Sequence, residues 1–422
     1  MVPYFCTVGK GLEKFCVLEL SEKVNDVQIH ESITGKVFFS SKEPPGVLLA
    51  LKVVERLFIL VFNGEQFLCQ VPSSRALRKL KSLVESDPIN WDICLNHWRA
   101  YQELSEVNVS SGVEAQFSSQ FVSASCAKKL CISYVESCDD SHSITNFPAR
   151  FRVSCKCSGI VRKTFHQQLL ARIIGRSLVK TRAWTVDLRN PDVEVYVHAS
   201  DQYLTLGLPV TKRPLSDRPF LKHIKVRSTL CHAVLMAVGG LSSGSVVLDP
   251  MCGAATLLVE GAVSFPSVTF IGLDICPAQL KRAKENVNTA TVGEHVHLLL
   301  GSAVCLPLKD GCVSHVICDL PFGNKFGSVN DVKRLLPDVL LSLNRVICSG
   351  GKLAFLISNT LTNFLHNSVH NLNTFLFPNQ GANCVTRSYL VCRWKALERH
   401  SVKLGELPAN ICVFEKESVK HD

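Results

Sequence analysis

From residue 245 onward, short apolar runs recur between helical segments: "SVVLDPM", "VTFIGLDI", "VHLLLGS", "VSHVICDL" and "GGKLAFLIS". Between them lie "TLLVEGAVSF", "PAQLKRAKENVNTA" and "VKRLLPDVLLSLNRVI". Runs that are apolar at consecutive positions suit strands covered on both faces, so the pattern predicts a parallel sheet with helices on each side. "RSTLCHAVLMAVGGL" precedes the first run and reads as a helix opened by Ser228 or Thr229 as N-cap. The tail "SVKLGELPANICVFEK" reads as a hairpin closing the sheet edge.

The upstream half differs. Residues 1–70 run "YFCTVG", "GLEKFCVLELSEKV", "VQIHESITGKVFFSS" and "LLALKVVERLFILVF", a βαββαβ-like order typical of a small α+β sandwich. A helical segment follows at 74–104. Residues 105–147 are polar and Ser-rich without a lasting period, and read as a flexible insertion or linker. Order returns with the strand "RFRVSCKCSG", the helix "FHQQLLARIIGRSLVKT", two strands around "RNPD" and the strand "QYLTLGLPV". The expected division is 1–104, the insertion 105–147, a second α+β unit over 148–222, and the α/β unit over 223–422. The chain's 422 residues have room for these units, and a 46% hydrophobic content can fill their cores.

No uncharged apolar stretch reaches membrane-spanning length. The best candidate, "GVLLALKVVERLFILVF", carries Lys52, Glu55 and Arg56 and reads as an amphipathic helix running into a strand. The N-terminus lacks the basic-then-apolar order of a signal peptide. The 19 cysteines lie mostly in apolar runs, which suits free thiols in a reducing, intracellular setting. There is no C-x-x-C, and the lone Cys155/Cys157 pair has no second ligand pair after it, so no structural zinc site is expected.

Charge is uneven. Residues 150–227 hold sixteen Lys/Arg against five Asp/Glu, a local excess of eleven in a chain whose net charge is +10. Such concentration favours a polyanion, most often nucleic acid, although a solvated basic surface would look the same on charge alone. The candidate contacts are Arg152, Lys156, Arg162 and Lys163, then Arg172, Arg176, Lys180 and Arg182, then Lys212 and Arg213.

The strand ends of the α/β unit carry the chemistry. The first ends "VVLDPMCGAAT", where Asp249 closes the strand and Gly253 opens a turn into a helix, the place where a nucleotide-like ligand meets a helix N-terminus. It is not G-x-G-x-x-G, which counts against a dinucleotide. The second strand ends at Asp274, suited to a ribose diol and equally to an ordinary helix cap. Ser302 and Ala303 follow the third strand and would border an adenine. The fourth ends "VICDLPFGNKF". Ligands bind at this edge of doubly wound sheets, and four suitable ends in order are more specific than any one.

Asp319, Leu320, Pro321 and Phe322 fit the needs of an exocyclic amine. Its lone pair is shared with the base ring, so it is a poor nucleophile until two acceptors bind its hydrogens. Asp319 offers a carboxylate and Leu320 a backbone carbonyl. Pro321 biases Leu320 towards an extended backbone, and Phe322 can stack on a flipped-out base.

"LDPMCGAAT", "FIGLD" and "DLPFG" together resemble the class I S-adenosylmethionine-dependent methyltransferases that act on exocyclic amines, whose tetrad is Asn/Asp-Pro-Pro-Tyr/Phe or a close variant. "FRVSCKCSG", "DLRNPDVEVYVH" and "YLTLGLPV" resemble a THUMP domain, an RNA-binding module, and the N-terminal pattern resembles the ferredoxin-like unit before it. The chain thus resembles the THUMP domain-containing class I methyltransferase family over nearly its whole length. The resemblance implies a Rossmann-like fold with a C-terminal antiparallel hairpin, preceded by ferredoxin-like and THUMP units. It implies S-adenosylmethionine held near Asp249, Met251, Cys252, Gly253, Thr256, Asp274, Ile275, Ser302 and Ala303, with no metal. It also implies methylation of guanosine N2 in a structured RNA, transfer RNA or spliceosomal small nuclear RNA, in the nucleus or cytoplasm, with a small zinc-binding activator subunit. Ala255 stands where the family has the second glycine of Gly-x-Gly, so a methyl group crowds the cofactor or strains the turn if φ must be positive. Ser302 replaces an acid, and Leu320 replaces the first proline of the tetrad. A rival reading is a non-catalytic RNA-binding protein that keeps the fold. Another is an amine methyltransferase acting on DNA adenine or protein glutamine, against which the basic unit argues.

Overall fold

A computed structural model of the chain describes residues 1–65, 67–85, 91–110, 149–321, 328–375 and 392–418. They form two compact units. One holds Met1–Thr7 and Val17–Leu215, and the other Val8–Cys16 and Ser216–Asp422.

The chain begins β1 (Val2–Thr7), α1 (Glu13–Lys23, its first four residues counted with the second unit), β2 (Gln28–Ile33), β3 (Lys36–Ser41), α2 (Pro45–Leu49) and β4 (Arg56–Glu65), the expected βαββαβ order. Only the short α2 is helical in the segment read as an amphipathic helix. Next come α3 (Ser73–Glu85) and α4 (Trp91–Ser110). Residues 105–110, assigned to the Ser-rich insertion, continue α4, and 111–147 fall outside the described residues. The unit continues with β5 (Arg150–Cys157), α5 (Gly159–Thr164), α6 (Gln167–Arg182), β6 (Thr185–Val186), β7 (Val193–Ala199) and β8 (Tyr203–Pro209). β4 pairs antiparallel with β8, so both halves share one eight-stranded sheet, ordered β2-β3-β1-β4-β8-β7-β5-β6. β7 alternates as a half-covered strand should, with Val193, Val195, Val197 and Ala199 buried. On α6, Leu170, Ile174 and Leu178 are buried at four-residue spacing, leaving Arg172, Arg176 and Lys180 outside.

The second unit contains α7 (Ser228–Val238), β9 (Val246–Asp249), α8 (Thr256–Ser264), β10 (Thr269–Asp274), α9 (Pro277–Thr289), β11 (Val296–Leu300), β12 (Val313–Asp319), α10 (Val329–Val346), β13 (Ile347–Ser358), α11 (Asn359–Phe375), β14 (Cys392–Leu404) and β15 (Leu407–Ser418). The order is β11-β10-β9-β12-β13-β15-β14: β9 to β13 are parallel, and the β14–β15 hairpin is the antiparallel edge. Both sheet faces are covered. Leu353, Phe355 and Ile357 of β13 join the core formed with α10 and α11, whereas the alternating Ala354 and Leu356 are equally buried. α10 opens with a capping box between Ser328 and Asp331. α7 differs from expectation: Arg227 is its N-cap, because the Ser228 hydroxyl donates to the Ser216 carbonyl (2.7 Å) and does not cap the helix.

Strand order reverses between β9 and β12. β10 and β11 lie to one side of β9, and β13 to the other side of β12. This is the topological switch point, where open α/β sheets bind ligands beyond their strand ends. Asp249 and Asp319 end the two strands that flank it.

Candidate active site

The β9 end is a compact turn. The Met251 amide donates to Asp249 Oδ1 (3.1 Å), and the Cys252 amide to the Leu273 carbonyl (2.9 Å). Asp274 at the end of β10 braces the same turn: Oδ2 accepts from the Gly253 amide (2.8 Å) and Oδ1 from the Cys276 amide (2.8 Å). Each carboxylate oxygen retains a second lone pair for a further donor. Gly253 has φ +54 and Ala255 has φ 58, so both positions are left-handed. Ala255 is the N-cap of α8 and fully buried. The turn therefore does require positive φ where glycine is missing, at a cost of about 1–2 kcal/mol. The next residue, Thr256, has a buried hydroxyl oxygen with no hydrogen-bond partner among the described residues.

Asp249 and Asp319 are both buried, and burial raises both carboxyls. Asp249 is pushed to about 7, with Asp319 raising it further and the Met251 amide and Lys225 pulling against this. Asp319 rises to about 6, moderated by the Lys225 ammonium. Burial and the neighbouring Asp249 and Asp319 carboxylates raise the Cys318 thiol well above its ordinary value. Asp319 Oδ1 is buried without a hydrogen-bond partner among the described residues. A buried acceptor of this kind ordinarily has a partner. The Leu320 amide donates to the Leu356 carbonyl (3.0 Å), carrying the sheet pairing one residue past Asp319. Leu320 is buried and Pro321 half-buried. Phe322 lies outside the described residues.

Beyond β10 and β11 the surface turns apolar. Ile275 is 74% exposed, and Leu300, paired in register with Asp274, is 63% exposed. Such exposure suits the face of a flat ring. Ser302 accepts from the Cys305 amide through its carbonyl, and Ala303 is buried. Sequence reasoning missed Leu300, because a strand's last apolar residue looks like core. It missed Lys225 and Asn286, which lie in segments without a motif.

The basic candidates divide. Arg182 forms a double contact with Asp92 (3.0 and 2.9 Å), and Arg152 pairs with the half-buried Glu194 (3.1 Å), so both are engaged within the unit. Lys156, Arg162, Lys163, Arg172, Arg176, Lys212 and Arg213 are exposed. Lys180 stays exposed although it pairs with Glu85 at 3.6 Å.

The UPF0020 family, described as an RMKL-like methyltransferase domain, matches residues 216–375. The U6 snRNA (guanine-N(2))-methyltransferase THUMPD2 of Bos taurus is 33% identical over 398 residues, covering 84% of this chain and 78% of that protein. The chain belongs to the THUMPD2 family. The tRNA (guanine(6)-N(2))-methyltransferase THUMP3 of Mus musculus is 24% identical, over 83% of this chain and 80% of that protein. The crystal structure of TrmN from Thermus thermophilus superposes with a TM-score of 0.67 at 19% identity, covering 99% of this chain and 100% of that one, and shares the fold. Like the rest of the family, the chain is a class I methyltransferase with S-adenosylmethionine as donor. The site fits that donor on its own terms. Gly253 leaves its turn without a side chain, Thr256 and Asp319 keep unpartnered buried oxygens among the described residues, and Ile275 offers an apolar surface.

Proposed function

We propose that the chain methylates the N2 amine of a guanosine in a structured RNA, a spliceosomal small nuclear RNA or a transfer RNA. The observation that carries this reading is Asp319 Oδ1, a buried acceptor at the switch point with no partner among the described residues, followed directly by Leu320 and Pro321. When bound, S-adenosylmethionine supplies a methyl group on a positively charged sulfur. Asp249 takes the donor's amino group, the Gly253 turn its methionine portion, Asp274 its ribose hydroxyls, and Ile275 with Ala303 its adenine. Asp319 accepts one N–H of the target amine and the Leu320 carbonyl the other, which localises the nitrogen lone pair for attack. Phe322 stacks on the flipped base. Positioning and a fixed negative charge supply most of the catalysis. The exposed cations of the first unit, Arg172 and Arg176 among them, bind the RNA backbone.

The reading includes a small zinc-binding activator subunit as partner and a nuclear or cytoplasmic location. The described cysteines are free thiols, as a reducing compartment allows. The test is methyl transfer from isotope-labelled donor to cellular RNA, with the activator co-expressed, read by mass spectrometry of nucleosides. Labelled N2-methylguanosine is expected from the wild type and none from Asp319→Ala, which should still bind RNA. Label in adenosine, or full activity of Asp319→Ala, refutes the assignment.

A further inference from the structure

Residues 216–227 lead into α7 without regular structure, yet they are tied down along their length. Arg218 Nε donates to Glu260 Oε1 of α8 (2.9 Å), with both side chains buried. Asn286 of α9, fully buried, does more. Its Oδ1 accepts from the Lys222 and His223 amides (2.9 Å each), and its Nδ2 donates to the His223 carbonyl (2.8 Å) and the Ala254 carbonyl (2.9 Å). One side chain thus joins this segment to the turn that follows β9. Fixing residues 222–223 fixes what comes next. Lys225 lies across Gly253, its Nζ and Cδ each 3.6 Å from where a Cβ on that glycine would stand. A cation therefore rests on the bare turn, in a site whose other charges, Asp249, Asp274 and Asp319, are negative.

The methionine end of the donor is a zwitterion. An amino group is served by carboxylates, but a carboxylate approaching the same acids is repelled. It needs a cation beside the glycine turn. We infer that Lys225 binds the α-carboxylate of the methyl donor, held in place by the Asn286 hydrogen bonds to its segment. This rests on the methyl-donor reading of the site. Lys225 is exposed, so its replacement leaves the core intact.

Calorimetric titration of the full chain with S-adenosylmethionine and with its decarboxylated analogue tests the assignment, using wild type, Lys225→Met and Lys225→Arg. Removing the carboxylate should weaken wild-type binding about 10–100-fold, the range of a hydrogen bond to a charged group. Lys225→Met should lose a similar factor for S-adenosylmethionine, yet distinguish the two ligands by less than about threefold, because the two deletions remove one interaction. Lys225→Arg should recover most of the discrimination. Equal weakening of both ligands in Lys225→Met overturns the inference. So does tighter binding, which would make Lys225 a stand-in cation displaced by the donor. A wild type that binds neither ligand overturns the donor reading itself, and the assignment of Lys225 with it.

Discussion

Asp319→Asn should make the protein more stable, and the stability gain should depend on pH. Burial raises the Asp319 carboxyl from the ordinary 3.8 to about 6. A tenfold change in acidity is worth about 1.4 kcal/mol, so keeping this group ionised costs the fold roughly 3 kcal/mol at pH 7.5. The sign follows from the raised value. Below about pH 4 the group is protonated in both states and costs nothing. The cost grows as pH rises from there, and is complete above about pH 6. Asparagine has the same shape and is neutral throughout, although its amide also loses water. Because 1 kcal/mol shifts Tm by about 2–4 °C in a unit of this size, the variant should melt about 6–12 °C above wild type at pH 7.5. The gain should shrink to roughly half at pH 5. Asp249 lies in the same field at about 7, so the two acids titrate as a coupled pair and the curve will be broad. Scanning calorimetry across pH 4.5–8 reads the effect. A destabilised variant, or a gain that ignores pH, refutes the argument that Asp319 is held ionised against its surroundings.

Wild-type activity should rise with pH through about 6–7 and then level off, since both acids act as carboxylates; a pH–rate profile that is flat between pH 5 and 8 contradicts this. Glu260→Ala should cost about 3–5 kcal/mol by removing one partner of the buried Arg218–Glu260 ion pair, whereas the double change Arg218→Met with Glu260→Leu should cost far less; denaturant unfolding of the two variants decides, and similar losses in both would contradict it. Arg172→Ala with Arg176→Ala should lower the slope of log K for RNA against log salt by about two contacts' worth, with no change in donor affinity; an unchanged slope removes these residues from the RNA surface.

The second unit was legible because burial on both faces leaves a strong pattern. Val316, Ile317 and Cys318 are consecutive and all fully buried, so a charge directly after them stands out. The strand ends were read by that contrast, and they gather at the switch point. The first unit was legible element by element but not as one sheet. Antiparallel pairing of β4 with β8 joins residues such as Phe58 and Pro209, whose separation no local period reports. The start of α7 was misread for a similar reason: Ser228 looked like a cap, but Ser216 takes its hydroxyl. Lys225 and Asn286 were invisible because their importance comes from contacts distant in sequence. Asn286 reaches back to residues 222, 223 and 254, and nothing about an asparagine in "RAKENVNTA" announces that.

The site's charges explain why these parts belong together. Two buried acids at neighbouring strand ends are unfavourable in the free protein, as both raised carboxyls attest. A donor that brings a sulfonium and an amino group would offset that burial cost, so part of the cost in folding would return as affinity for a positively charged ligand. Ala255 works against the glycine-like turn it occupies, but the backbone leading into it is held by the Asp274 brace on Gly253 and the Asn286 tie to Ala254. Strain of about 1–2 kcal/mol is then tolerable. The same bracing that lets this chain dispense with a glycine also keeps Lys225 beside the turn, at the end of the donor that the acids cannot serve.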